Sequence, residues 1–489
     1  MRPFWKLCCA VLLLACSGAG FAVDLVRVEL QLRPPHLDPT RTASATAAEA
    51  MHLNVFQGLT RIDREGQVRP ALATRWVVDD HGHSLTLDLR PDVHFHDGRP
   101  FTAEVAAYSL DRLLDPEAGN PQRHLFEAIA SSEVITPHRL RLQLARPDAL
   151  LPFRLGLSAA VMVHPDSAAT NAEDPVGTGP YRVDGWRRGE LHLSAFPGYW
   201  GKPPAISKAV FTFTPNRLEM ESALAEGLID LFPDGSPLVS HLQLSQRSDY
   251  VIQDGLSEGE VILALNHDRE PLGDLRVRRA LSYAVDRKAL LSIYPSANPP
   301  VIGSHFSPLH PAYLDLSDRY SHSPEVARAL LAEAGHAEGL ELTLSLPPTI
   351  YAERGSLHIA NDLEAVGIRV RLERLGWREW LQRVFTERDY ELTLVAHVEP
   401  FDLDIYARDD YYFNYQSPEF RALWERIQRT PDEAQRNRLL SQAQRHLAEE
   451  AVNVFLFMKP QQAIHKANLG GVWENAPIPA VPLEELYWK

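Results

Sequence analysis

The side chains best suited to chemistry are crowded into one stretch, residues 392–415, LTLVAHVEPFDLDIYARDDYYFNY. It carries the acids Glu399, Asp402 and Asp404, the tyrosines Tyr406, Tyr411 and Tyr412, and the cation Arg408. Acids inside a fold are costly unless paired, and clustered tyrosines supply apolar walls with polar tips. Such a mixture suits the holding of a small polar solute, cationic or hydroxylated. Trp377 and Trp380, three apart in WREWL, share one side of a helix. They are either core packing or part of the same wall.

Bond-breaking chemistry finds little support. There is no HExxH and no SxxK in a serine-hydrolase setting, so no enzyme is expected. His94 and His96 alternate on a short strand and could face one metal ion, but no third ligand is near them in sequence. His397 beside Glu399 is a second, weaker metal-ligand pair. No metal centre and no cofactor are expected. All three cysteines (Cys8, Cys9, Cys16) fall at the start of the chain, which leaves the rest without thiol or disulfide chemistry. Gly177 and Gly179 flank Thr178 in VGTGPYRVDGW. A phosphate loop would need a following Lys-Ser/Thr and a helix, whereas an alternating strand comes next.

Those side chains need a scaffold, and the pattern is that of an α/β protein. Residues 1–22 read as a signal peptide: Arg2 and Lys6 precede a short apolar run, and Gly20-Phe21-Ala22 offers a cleavage site before Val23. The competing site, Leu13-Leu14-Ala15-Cys16, would leave a lipoprotein anchored through Cys16. The whole chain carries a formal charge of −15, and losing Arg2 and Lys6 makes it −17. An acidic surface of that size argues against nucleic acid, whose phosphates require basic neutralisation. With 45% hydrophobic and 23% charged residues the composition is that of an ordinary globular protein.

The elements follow from periodicity. Leu85, Leu87 and Leu89 alternate with polar residues as a half-buried strand, Asp97-Gly98 supplies a turn, and Thr102 is a plausible N-cap for a helix through Leu114. A first strand is expected at 24–32, a helix over 43–59, a strand–helix–strand unit over 205–232, and a helix beginning at Arg276. Further on come the 323–335 helix, a strand at 340–346, two amphipathic helices between 417 and 450, and a buried strand at 452–457.

Three of these stretches carry a resemblance. LTLDLRPDVHFHDGRPFTAEVAAYSLDRL, VGTGPYRVDGW and LALNHDREPLGDLRVRRALSYAVDRKAL, in that order, closely resemble signatures of the family 5 extracellular solute-binding proteins, the dipeptide-, oligopeptide- and nickel-type receptors of ABC importers. Val105 stands where the usual signature has an acid. The resemblance implies a type II periplasmic-binding-protein-like fold in its enlarged, cluster-C form: two α/β lobes on a hinge, with an α+β accessory subdomain on the first. It implies lobe I at 23–55, 173–258 and 465–489, the accessory subdomain at 56–172, and lobe II at 259–464. It also implies a periplasmic monomer that captures a peptide or peptide-like solute and passes it to the permease subunits of an ABC transporter. An opine, oligosaccharide or nickel chelate is the alternative ligand, and sensing or chaperoning the alternative role. Arg276, Arg278 and Arg279, which could hold an anion, would instead be a packing face.

In dipeptide-type relatives an acid in the 392–415 region holds the ligand's amino group, which makes Asp402 and Asp404 the first candidates and Glu399 the third. Those relatives also pair the ligand carboxylate with an Arg ahead of a Pro-Tyr pair. Here that place reads Leu346-Pro347-Pro348-Thr349-Ile350-Tyr351, with Tyr351 kept as a candidate wall residue and Arg354 out of register. Plain dipeptide binding is therefore in doubt.

Overall fold

The computed structural model describes residues 24–79, 82–235, 247–294 and 297–489. The expected leader, with both of its cleavage sites, lies outside the described residues.

A ten-stranded mixed sheet runs through the molecule, and its middle is two long antiparallel strands, Tyr250–Leu265 and Val454–Lys466. To one side lie Leu231–Phe232, Leu25–Leu30, Lys208–Phe213, Glu190–Ala195 and Tyr181–Arg187; to the other lie Leu392–His397, Leu340–Leu346 and Ile368–Arg374. The long pair is where the chain passes between two lobes. Residues 250–256 pair with 460–466, and 260–263 with 454–458. Between the two blocks Ser257, Glu258 and Gly259 stand opposite Lys459 alone, a bulge that breaks the ladder. Pro460 brings no backbone donor to this place, and Gly259 sits where a Cβ would press on the Lys459 side chain at 2.8 Å. The result is an α/β fold of two lobes joined at a weakened crossing.

Each lobe has its own core. Val26, Val28, Leu193 and Phe211 centre the first; Val261, Leu263, Leu281, Leu344 and Ile359 centre the second. A third core belongs to a four-stranded sheet, Ala73–Val78, Ser84–Leu89, Arg139–Leu144 and Ile129–Thr136, covered by the helix Ala103–Leu114. The alternation at 85–89 is used as expected: Leu85, Leu87 and Leu89 point into this core while Thr86 and Asp88 do not. Full burial of each leucine contributes roughly 2 kcal/mol. Val105, in place of the family's acid, is buried in the same core.

The helix expected over 43–59 is only Ala45–Met51, capped by Ser44, whose Oγ accepts the Ala47 N–H at 3.3 Å. Leu53 then turns left-handed at φ 66°, and the N–H groups of Val55 and Phe56 both donate to Met51 O. Buried Asn54 holds this turn, donating to Ala50 O and Val481 O and accepting the Leu483 N–H. The turn in turn explains the glycines of VGTGP. A Cβ on Gly177 or Gly179 would overlap the carbonyl oxygens of Val55 and Asn54, and the Gly179 N–H donates to Val55 O at 2.9 Å. His96 closes the packing, its Nε2–H donating to Gly179 O (3.0 Å) and its Nδ1 accepting the Gly177 N–H (3.3 Å). Two of the three signature stretches thus meet at one imidazole, while His94 is exposed.

The third signature is also architecture. Arg278 is buried and donates to the carbonyls of Leu272, Gly273 and Glu450; Arg276 pairs with Asp274, and Arg279 donates to Glu449 O. Among the described residues no helix is long and apolar enough to cross a membrane.

Candidate functional site

A cleft of about 540 Å³ opens between the lobes. One wall comes from the start of the Ala45–Met51 helix, His52, Pro121, Gln122, His124, Leu125, Phe153, Arg154 and Leu157, with Ile478 and Pro479 from the C-terminal segment. The other wall is Phe385 together with residues from 398 to 411, the loop that leaves the strand Leu392–His397. The acid- and tyrosine-rich stretch is therefore aimed at the cleft because it follows the central sheet's strand out of the second lobe.

Of the residues singled out in the sequence, Glu399, Asp402, Asp404, Arg408 and Tyr411 line the cleft. Glu399 is exposed, and its carboxylate accepts only the neighbouring Val398 N–H, at 3.2 Å, among the described residues. Asp404 sits 3.8 Å from Arg408, whose guanidinium lies 5.0 Å over the Tyr411 ring. Burial raises the Asp404 carboxyl above its ordinary range, opposed by Arg154 and Arg408. Arg154, the other guanidinium on the wall, is held by buried Asp148 at 2.5 Å.

The remaining five stand away from the cleft wall. Tyr406 and Tyr412 are 1% and 2% exposed in the second lobe's core, Tyr406 accepting a hydrogen bond from Asn453 at 3.1 Å. Trp380 is buried, with its Nε1–H on Thr393 Oγ1 at 2.9 Å. Trp377 is exposed and meets Trp380 edge-on at 5.8 Å. Tyr351 turns its hydroxyl to accept the Ala396 N–H at 3.0 Å. Arg354, considered for a ligand carboxylate, donates to Ile293 O.

Asp402 has a second set of neighbours that the sequence did not suggest. Its Oδ1 lies 2.7 Å from His305 Nε2 and its Oδ2 lies 3.1 Å from His397 Nδ1. Both nitrogens face a carboxylate and so carry the protons, which leaves His397 Nε2 to accept from the Tyr412 hydroxyl at 2.9 Å. Burial pushes the Asp402 carboxyl up, but the two histidines bring it below the ordinary carboxylate range. Close by are Glu258 and Glu260, on either side of Gly259 in the crossing strand. Burial raises Glu258 to about 7, eased by a hydrogen bond from Ser307 and aggravated by Asp402. Burial and the charges of Asp402 and Glu258 raise Glu260 well above its ordinary value.

His305, Glu258 and Glu260 were the residues missed. The two glutamates did leave a trace, as acids flanking a glycine just before the apolar run VILAL. His305, in a run of turn residues, left none.

The family model for bacterial extracellular solute-binding proteins, family 5 (middle), matches residues 67–418. The glutathione-binding protein GsiB of Escherichia coli (strain K12) is 26% identical over 486 residues, spanning 94% of this chain and 93% of that protein. HbpA2 from Haemophilus parasuis superposes with a TM-score of 0.86 at 20% identity, over 95% of this chain and 100% of that one. DppA from Helicobacter pylori, a periplasmic binding protein solved with the peptide STSA, gives 0.78 at 22% identity, over 95% and 98%.

Proposed function

Because the chain belongs to the bacterial extracellular solute-binding proteins of family 5, we propose that it is the exported receptor of an ABC importer, taking up a short peptide or peptide-like zwitterion. The observation that carries the ligand class is the charge arrangement on the second-lobe wall: Glu399, with only a backbone partner among the described residues, and Arg408, near the same loop's other end. An ammonium group suits the first and a carboxylate the second. Glu399 takes precedence over Asp402 for the amino group, since both Asp402 oxygens already face imidazoles. The wider distribution of polar groups along a 540 Å³ cleft favours something longer than a dipeptide. The resemblance to a glutathione-binding protein supports the same class.

Work outside the cytoplasmic membrane, as a monomer docking on permease subunits, belongs to this reading. So does the absence of catalysis: the polar groups of the wall hold and orient. Ligand contacts from both walls would favour the closed arrangement of the lobes, and flexing at Ser257–Gly259 and Lys459–Pro460 would permit it. The division into lobe I (23–55, 173–258, 465–489), accessory subdomain (56–172) and lobe II (259–464) is part of the proposal. The broken ladder supports its boundary at 258, and the pairing of Leu256 with Pro460 supports drawing the last boundary back to 460.

Calorimetric titration of the mature chain tests the ligand class, with glutathione, tri- and tetrapeptides, opines, oligosaccharides and nickel chelates as probes. A peptide-like hit that weakens in Glu399→Gln bears the reading out. Binding of an uncharged sugar alone would overturn it.

A further inference from the structure

Behind the cleft wall, one nitrogen each from His305 and His397 and one carboxylate oxygen of Asp402 lie within 4.8 Å of one another. His305 is 1% exposed and its Nδ1 has no hydrogen-bond partner. A cavity of about 10 Å³, the room of about one water molecule, adjoins His305 and Asp402 and is also bordered by Glu258 and Glu260. Glu260 is 5% exposed, and its Oε2 also has no partner. Among the described residues no Lys or Arg forms an ion pair with Asp402, Glu258 or Glu260, although ion pairs of other acids are frequent. Three acids and His305 thus border one small space, with His397 against the far oxygen of Asp402 and, among the described residues, no Lys or Arg paired with the acids.

We propose that His305, His397 and Asp402 form a site for one divalent transition-metal ion, with Glu260, the cross-strand partner of His397, as a further carboxylate beside the same cavity. Two imidazole nitrogens with carboxylate oxygens select borderline ions such as zinc, nickel or cobalt over calcium and magnesium, which prefer all-oxygen sites. Binding needs a nitrogen lone pair from each ring. His397 can give up its Nδ1 proton, with Nε2 then protonated and donating to the Tyr412 oxygen, so the ring stays neutral and only a tautomer changes. Such an ion is a resident of the second lobe, not a solute. Through Glu260 it would also tie that lobe to the strand at the crossing, one residue from Gly259.

The test uses the full mature chain without a histidine tag, stripped with chelator and titrated with Co²⁺ alone. One equivalent should bind and develop visible d–d absorption, which Zn²⁺ then bleaches. His397→Gln and Asp402→Asn should weaken binding about 100-fold, Glu260→Gln by about tenfold, and the exposed His94→Gln not at all. Circular dichroism establishes that each variant is folded; should Asp402→Asn unfold, His397→Gln and Glu260→Gln decide. Absence of binding by the wild-type chain overturns the proposal. So does binding of equal strength in wild type and folded His397→Gln.

Discussion

Asp402 and Glu399, three residues apart on one loop, show two opposite uses of a carboxylate. Asp402 borders the cleft, but its oxygens are turned to His305 and His397. Glu399 stands in the open with one backbone partner. The tyrosines divide in the same way: Tyr411 lines the cleft beneath Arg408, while adjacent Tyr412 serves His397 from inside the core. Residue type alone marks all four as binding residues. The partner each polar group already has separates a wall with polar groups open to the cleft from the structure that holds the wall in place.

The largest test of that division is Asp402→Ala. It leaves two buried imidazoles facing a gap and removes the group that both rings share. We expect a loss of about 3–5 kcal/mol, the range for breaking a buried pair, seen as a lower urea midpoint. A loss under about 1 kcal/mol would place Asp402 with Glu399, as a group held ready for ligand. Glu399→Ala should do the reverse. Stability should stay within about 0.5 kcal/mol, while affinity falls roughly 10- to 100-fold, the worth of a hydrogen bond to a charged group. Equal effects of the two substitutions on stability would break the comparison.

Much of the scaffold was legible because its patterns are local. The alternation at 85–89, the strand–helix–strand unit within 205–232, the helix within 323–335 and the strand at 340–346 each follow from neighbours in sequence. The helix over 43–59 was overread because residues with good apolar spacing after Met51 are held in a turn by contacts from 177–179 and 481–483, far along the chain. The cleft-facing loop was found as a stretch, since acids and tyrosines in a crowd are visible. Which of its members face outwards was not. That depends on His305, nearly a hundred residues earlier, whose surroundings in sequence say nothing of Asp402.

Histidines extend the comparison with a smaller effect. His96 and His267 are half-buried partners of backbone groups and are held neutral: burial brings His96 to about 4, and burial with Arg278 brings His267 to about 3. Both values lie below the ordinary value of 6.5, so the unfolded chain takes up these protons first. Their contribution is complete above pH 6.5 and is lost as the pH falls towards 4 for His96 and towards 3 for His267. The slope is at most about 1.4 kcal/mol per pH unit for each ring. His96→Gln should flatten the decline of stability between pH 6 and pH 4. An unchanged slope would mean that the ring at the Gly177–Gly179 turn is free to protonate.

Trp377 should give the smallest effect. It is 46% exposed and outside the cleft wall, and among the described residues its ring partner is Trp380. Trp377→Phe keeps an edge-on aromatic contact worth about 0.5–1.5 kcal/mol in full, so stability should shift by less than about 0.5 kcal/mol. Ligand affinity should not move. The informative measurement is intrinsic fluorescence on ligand addition, where buried Trp380, packed against Tyr412 at 6.2 Å, is the better placed reporter of events at the wall. If the ligand-induced change survives in Trp377→Phe, the helix Trp377–Trp380 belongs with the supporting structure. If it vanishes while affinity falls, Trp377 swings towards the ligand on closure, and the boundary between wall and support must be redrawn to include that helix.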